Sequence, residues 1–405
     1  MAKPTGNAAR RAMPVVEWPS LEGCMRITRT IVACVCGLLI LVVAALVGSI
    51  AFMRSTRRAD FTHQRDRIEA LASARPDALA PAGPETPGPG AGPAKAGDTP
   101  AVDRAVRDDL RLNQIRMVAT HNSYHVQSDP LRLFLIGLFE PVWPARLRYS
   151  HAPLSEQFDH GVRSVELDVR NQGSRFVIAH VPLVDDRATC PDFLLALREI
   201  RLWSERHPDH LPIVVLLELL NDWSFLDPRL RDFDRPALDR LDAEIHDAFP
   251  APELLTPDNV RAGAVTLEAA VVGLGWPRIG EIRGRVMFVM HDNETYRRLF
   301  VEGNPTLAGR SLFTCAPSGN PDAAVRVLDD PVADGPTIAS LTHTGYLVRT
   351  RADADLDIEP AVAQAAVASG AQIVSTDYPP SEPRTDTGYR FSFPGGRMVT
   401  ARMGP

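Results

Sequence analysis

Two histidines and a set of carboxylates recur in this chain at the ends of short apolar runs. Thr120-His121-Asn122-Ser123-Tyr124-His125 follows residues 115–119, Val165-Glu166-Leu167-Asp168-Val169 closes a second run, and Ala179-His180-Val181-Pro182 closes a third. Polar groups that hold a metal or move a proton sit at strand ends in barrel enzymes. In an extended strand, residues two apart share a face, so Glu166 and Asp168 project together. Two adjacent carboxylates repel unless a cation joins them. Hard oxygen donors of this kind suit Ca2+ or Mg2+, with Asn122 adding a neutral carbonyl and Glu218 a third carboxylate. The competing arrangement is a solvated ion-pair ladder with Arg163 or Arg170, and the neighbouring histidines favour the metal.

His121 and His180 are the expected proton-handling pair, since imidazole alone changes charge near neutral pH without heavy tuning. The chain has eleven histidines. His125, His151, His160, His207, His210, His246, His291 and His343 are read as capped or surface residues, and His63 lies outside the expected domain. Two later signals, Gly345 to Asp353 and Val374 to Pro379, also put polar groups just past a strand. Arg349 has the fork geometry to hold a phosphate, and Asp377 is suited to order the site or bond a polyol; structural salt bridges account for both equally well.

Those side chains need a scaffold that gathers strand ends. Strands are expected at residues 114–119, 163–169, 176–179, 213–219, 285–290, 346–349 and 372–375, several of them rich in Val and Ile as two-sided burial requires. Helical spacing at 190–205, 236–249 and 361–369 alternates with them. That alternation marks βα units and a mainly parallel sheet. The expected fold is α/β, a (β/α)8 TIM-like barrel that is irregular or incomplete, with one strand missed; a doubly wound open sheet is the alternative.

At 405 residues and 45% apolar content, one such barrel absorbs most of the chain. The first 68 residues carry ten Lys/Arg against four Asp/Glu, or +6, which leaves -12 of the total -6 on the remainder. An acidic body argues against a nucleic-acid partner. Residues 31–53 run for 23 positions without a charge, long enough to span a bilayer. The run ends in Phe52-Met53-Arg54 rather than a small-residue cleavage site, so an uncleaved anchor is expected, with a secreted protein as the outcome if it is cut. Basic residues flank both ends and leave orientation undecided; the catalytic domain is placed outside the cytoplasm. Residues 81–100 hold eleven Pro or Gly and should form a tether. The expected division is a basic tail at 1–30, an anchor at 31–53, a linker at 54–102 and a catalytic domain at 103–405. Cys190 and Cys315 fit either one disulfide or two buried thiols.

The ordered set of motifs resembles the bacterial calcium-dependent phosphatidylinositol-specific phospholipases C, relatives of the catalytic X region of eukaryotic phosphoinositide phospholipases. The resemblance spans most of residues 111–405. It rests on Leu112-Asn113-Gln114 leading into His121-Asn122-Ser123-Tyr124-His125, Leu147-Arg148-Tyr149-Ser150-His151, Val165-Glu166-Leu167-Asp168, His180-Val181-Pro182, Gly345 to Asp353 and Ser375-Thr376-Asp377-Tyr378-Pro379. It implies a distorted TIM barrel, a Ca2+ cofactor, a phospholipid substrate at a membrane surface, and cleavage by attack of the substrate's inositol 2-hydroxyl. On that similarity Asn122, Glu166, Asp168 and Glu218 match calcium ligands, while His121 and His180 match the catalytic histidines. One departure is Leu219-Leu220-Asn221-Asp222, where the pattern has a basic residue near the glutamate. Glycerophosphodiester phosphodiesterases, which share the barrel, and an inactive headgroup-binding barrel are the alternative readings.

Overall fold

A computed structural model describes residues 21–73, 101–353 and 358–402. The tether at 81–100 and most of the basic tail lie outside the described residues. The chain divides into two compact units, Met1–Met53 and Arg54–Pro405. In the first, the apolar run is helical, part of Leu21–Ser73, and its mean hydropathy of 3.0 makes this helix long and apolar enough to cross a membrane.

Residues 54–73, expected to open the linker, instead complete that helix and belong to the second unit. Asp60, Gln64 and Ile68 are buried at near-helical spacing, giving one face that the domain can cover. Gln64 pairs twice with the Asp192 backbone (2.9 and 3.0 Å), Asp60 pairs with Arg187 (2.8 and 3.0 Å), and Arg67 pairs with Glu199 (3.0 Å). A Pro/Gly-based reading misses this because the composition shift begins further on.

The strands are β1 (Ile115–Thr120), β2 (Ser164–Asn171), β3 (Phe176–Ile178), β4 (Ile213–Leu219), β5 (Val286–Met290), β6 (Leu312–Thr314), β7 (Val325–Val327), β8 (Leu347–Arg351), β9 (Ile373–Thr376) and β10 (Val399–Ala401). Eight of them form a parallel ring in the order β6-β5-β4-β2-β1-β9-β8-β7, while β3 and β10 are antiparallel additions to β2 and β1. The ring is nearly closed: a single parallel bridge, Cys315 to Val325, joins its ends. Parallel neighbours need a crossover of a dozen residues or more, commonly a helix. Between β6 and β7 the chain has only residues 315–324, with two prolines and a glycine and no helix, so the last pair barely touches.

The architecture is therefore the expected incomplete TIM barrel, with corrections in detail. Residues 176–179 form a hairpin arm on β2, not a barrel strand. Two barrel strands, β6 and β7, went unseen because three residues each cannot display a period. At the N-terminal face of the barrel Arg163 and Asp103 form a fully buried ion pair (Nε to Oδ1, 2.7 Å), and Asp103 also accepts from the Leu211 amide (3.0 Å). Cys190 and Cys315 are both buried free thiols.

Candidate active site

Strand register assembles the acidic cluster. Asp168 on β2 is the direct neighbour of Glu218 on β4, and Glu166 lies two residues earlier on the same face. The strand itself runs on to Asn171, so this pair sits within β2 rather than at its end. Beyond the end of β1, Ser123 continues the ladder: its amide donates to the Glu166 carbonyl (2.9 Å) and its hydroxyl accepts from the Glu166 amide (2.7 Å). Asn122 is thereby turned toward Asp168, in a left-handed conformation (φ 44) that Asn tolerates better than most residues.

The cluster has the character of a cation site. Ligand atoms of Glu166, Glu218 and His291 lie within 4.8 Å of one another. The Asn122 amide nitrogen donates to the Asp168 carboxylate (3.0 and 3.3 Å) and its oxygen accepts from the Tyr149 hydroxyl (3.1 Å). A cation bound beside Asp168 would be met by the amide oxygen instead, a half-turn of the same side chain. Burial raises the Asp168 carboxyl well above its usual range, and the charges of Glu218 and Glu166 push it the same way. Glu166 is held below the usual range because Arg349 and His121 outweigh the effect of burial. Three carboxylates and an amide oxygen fit a hard divalent cation, and a lone imidazole does not shift that preference.

Two histidines face the same cavity, each fixed by a buried carboxylate. His121 Nδ1 lies 2.8 Å from Asp377 Oδ1, and His180 Nδ1 lies 2.8 Å from Asp185 Oδ2. Because a carboxylate only accepts, each Nδ1 carries the hydrogen and each Nε2 is left for chemistry. Asp377 is depressed to about 2, burial being outweighed by His121 and Arg351. Asp185 also falls well below the usual range against the effect of burial, through His125 and His180. A tight turn puts it there: the amides and carbonyls of Val181 and Asp185 bond reciprocally (3.0 and 2.9 Å).

His125, read from sequence as unremarkable, is fully buried behind this pair. Its Nδ1 faces the Tyr149 carbonyl (3.0 Å) and its Nε2 faces Asp185 Oδ1 (3.1 Å). Both partners are acceptors, so the ring is doubly protonated; Asp185 and the Tyr149 carbonyl raise its pKa over the opposing effect of burial. His151 is likewise structural, bridging the His121 carbonyl (2.9 Å) and Glu382 (2.6 Å). His291, also set aside from sequence, stands directly after β5 beside Glu166 and Glu218. The strand-end rule that selected His121 applied to it equally.

The cavity has a volume of about 260 Å³, and its walls include His121, Asn122, Asp168, His180, Glu218 and Asp377. The basic candidate, Arg349, does not line it. Its guanidinium is taken by Glu166 and Asp329 inside the barrel, the salt-bridge alternative. Arg351, two residues on and on the same face, lines the cavity instead, 3.4 Å from Asp377 and 3.5 Å from His121 Nε2. Trp143 stacks on His180 at 5.3 Å and meets Trp223 edge-on, forming an apolar wall.

Comparisons with known proteins bear on the fold and the family. No curated protein matches the chain in sequence. Among solved structures, a calcium-dependent phosphoinositol-specific phospholipase C from a Pseudomonas species in its apo form is similar, with 19% identity and a TM-score of 0.53 over 75% of this chain and 99% of that one. A myoinositol complex from the same genus gives 16% identity and 0.53 over 76% and 100%. The calcium-dependent phosphatidylinositol-specific enzyme of Streptomyces antibioticus gives 16% and 0.47 over 66% and 94%. At such identities the Pseudomonas structures establish the fold. The model of the family described as phosphoinositide phospholipase C, Ca2+-dependent, matches residues 110–177 and 170–405. On that match the chain belongs to the Ca2+-dependent phosphoinositide phospholipase C family of phosphoric diester hydrolases.

Proposed function

We propose that this protein cleaves inositol phospholipids at a membrane surface by intramolecular attack of the inositol 2-hydroxyl on phosphorus. The observation that carries the reading is the pairing of two carboxylate-oriented imidazoles, His121 and His180, in one cavity with the Asn122, Asp168 and Glu218 oxygens, with Glu166 two residues before Asp168 on the same strand face. Those four residues would hold the calcium, which when bound acidifies the 2-hydroxyl and neutralises charge on a phosphate oxygen. His121, with its hydrogen fixed at Nδ1 by Asp377, offers the Nε2 lone pair as base for the 2-hydroxyl proton. His180, protonated at Nε2 and steadied by Asp185, gives its proton to the diacylglycerol oxygen as the P–O bond breaks. Arg351 is the cation available to a phosphate oxygen on the cavity wall. In this reading residues 31–53 anchor the enzyme in the bilayer with the catalytic unit on the extracytoplasmic side.

Purified full-length protein with phosphatidylinositol vesicles, followed by phosphorus NMR with calcium or with EDTA, tests this. A cyclic inositol phosphate formed only with calcium is expected. Glycerol phosphate from glycerophosphodiesters instead would favour the alternative diesterase, and undiminished turnover in EDTA would remove the metal from the scheme.

A further inference from the structure

A second cavity, of about 600 Å³, lies beside the catalytic one and is lined by seven arginines against two aspartates. That balance is unexpected in a chain of formal charge -6. Arg54, Arg58 and Arg65 stand at i, i+4 and i+11 along the helix Leu21–Ser73, so they share one face. Across from them, in the turn between β2 and β3, Arg175 rests over the Phe61 ring at 5.3 Å and donates to the neutral Gln172 side chain (3.1 Å). Among the described residues, none of these four guanidinium groups meets a carboxylate. The other three arginines are engaged: Arg57 with the Ile178 carbonyl (2.6 Å), Arg229 with Asp227 (2.9 Å) and Arg170 with Asp222 (2.7 Å). Arg170 also divides this groove from the catalytic cavity, whose wall contains Asp222 and His180. Like charges lining one groove repel one another and are stabilised by an anion that pairs with them.

We infer that this groove is a second, non-catalytic site for the phosphate-bearing headgroup of an anionic phospholipid. The occupant is argued from charge and from chain continuity: Arg54, which lines the groove, follows directly in sequence on the apolar run that ends at Met53. The inference rests on reading residues 31–53 as membrane-resident. Guanidinium groups bind phosphate through paired hydrogen bonds, and the Phe61 surface beneath accommodates the glycerol end. Each basic side chain near an anionic headgroup layer is worth on the order of fivefold in affinity.

The test uses the full chain in a neutral detergent with EDTA throughout, so that catalysis and the calcium site play no part and failure of the proposed reaction leaves the outcome untouched. Calorimetric titration with mixed micelles containing phosphatidylglycerol should show saturable binding that weakens with salt, and phosphatidylcholine should show none. The triple variant Arg54→Gln, Arg58→Gln, Arg65→Gln should bind on the order of a hundredfold more weakly, while the matching triple Lys variant stays within a few-fold of wild type. Arg175→Gln alone, on an exposed turn, should lose about fivefold, which keeps the test available if the triple variant misfolds. Unchanged phosphatidylglycerol binding by the Gln variants, equal binding of phosphatidylcholine, or saturation by inorganic phosphate at the same concentrations would each overturn the inference.

Discussion

Replacing Asp168 by Asn should stabilise the calcium-free protein and destabilise it relative to wild type once calcium is present. Asp168 is buried, neighbours Glu218 in register, and has its carboxyl driven upward by burial and by Glu218 and Glu166. Adjacent strands lie about 4.8 Å apart, where two unit charges repel by about 3.5 kcal/mol at an effective dielectric of about 20. Against that stands the Tyr124 hydroxyl, which donates to Asp168 Oδ2 at 2.6 Å and would lose its charged acceptor but keep an amide oxygen; the difference is about 1 kcal/mol. Arg170 lowers the Asp168 carboxyl by its charge and trims the gain further. The net expectation is about 2 kcal/mol in favour of the Asn variant. With about 2.1 cal/mol/K of unfolding entropy per residue over a unit of this size, that is roughly 3 °C in Tm. Calcium at about a hundred times its Kd would add about 2.7 kcal/mol to the wild type alone and reverse the order. Differential scanning calorimetry of both proteins in EDTA and in calcium reads this crossing directly. An Asn variant that melts below wild type in EDTA would show that Tyr124 and Arg170 already satisfy the carboxylate, and the argument for a waiting cation site would fail.

Other outcomes follow from the same geometry. His121→Ala or His180→Ala should abolish turnover, with the melting temperature of the purified variant within a few degrees of wild type; measurable single-turnover cleavage by either would end its assignment as a proton carrier. Asp185→Asn should lower kcat by on the order of a hundredfold or more with a smaller change in KM, because His180 loses the acceptor that fixes its tautomer. The same substitution has a pH signature: the Asp185 carboxyl lies below its unfolded value, so the stability it gives is full at neutral pH and is lost as pH falls through the acid range. The gap between wild type and variant melting temperatures should therefore begin to narrow only as pH drops below the ordinary carboxylate range and should still be shrinking at the most acid pH the fold survives, and a constant gap would argue against this ion pair. Asp103→Ala, at the opposite face of the barrel, should cost about 3–5 kcal/mol in urea unfolding by leaving Arg163 buried without its partner. Its rate per folded molecule should match wild type.

Much of the candidate site is legible in the sequence because it depends on local facts. Glu166 and Asp168 share a face by the two-residue period alone, and His121, Asn122 and His180 follow apolar runs that form β1 and β3. The six longer strands expected of the barrel were visible for the same reason, since burial on both faces leaves Val, Ile and Leu in runs. Less legible were features with no period to display. β6 and β7 are three residues each, and the helix face of Asp60, Gln64 and Ile68, two of its three residues polar, reads as solvated until a domain covers it.

Amino-acid order by itself determined the barrel class, the apolar N-terminal helix and the identity of six groups that line the cavity, His121, Asn122, Asp168, His180, Glu218 and Asp377. Only the tertiary structure decided which of eleven histidines are buried partners rather than surface groups, and which arginine reaches the cavity. His125 and His291, and the exchange of Arg349 for Arg351, depend on pairings between residues 20 to 230 positions apart. A chain specifies such contacts only through the register of strands, here Asp168 against Glu218, and that register exists only when the sheet has formed.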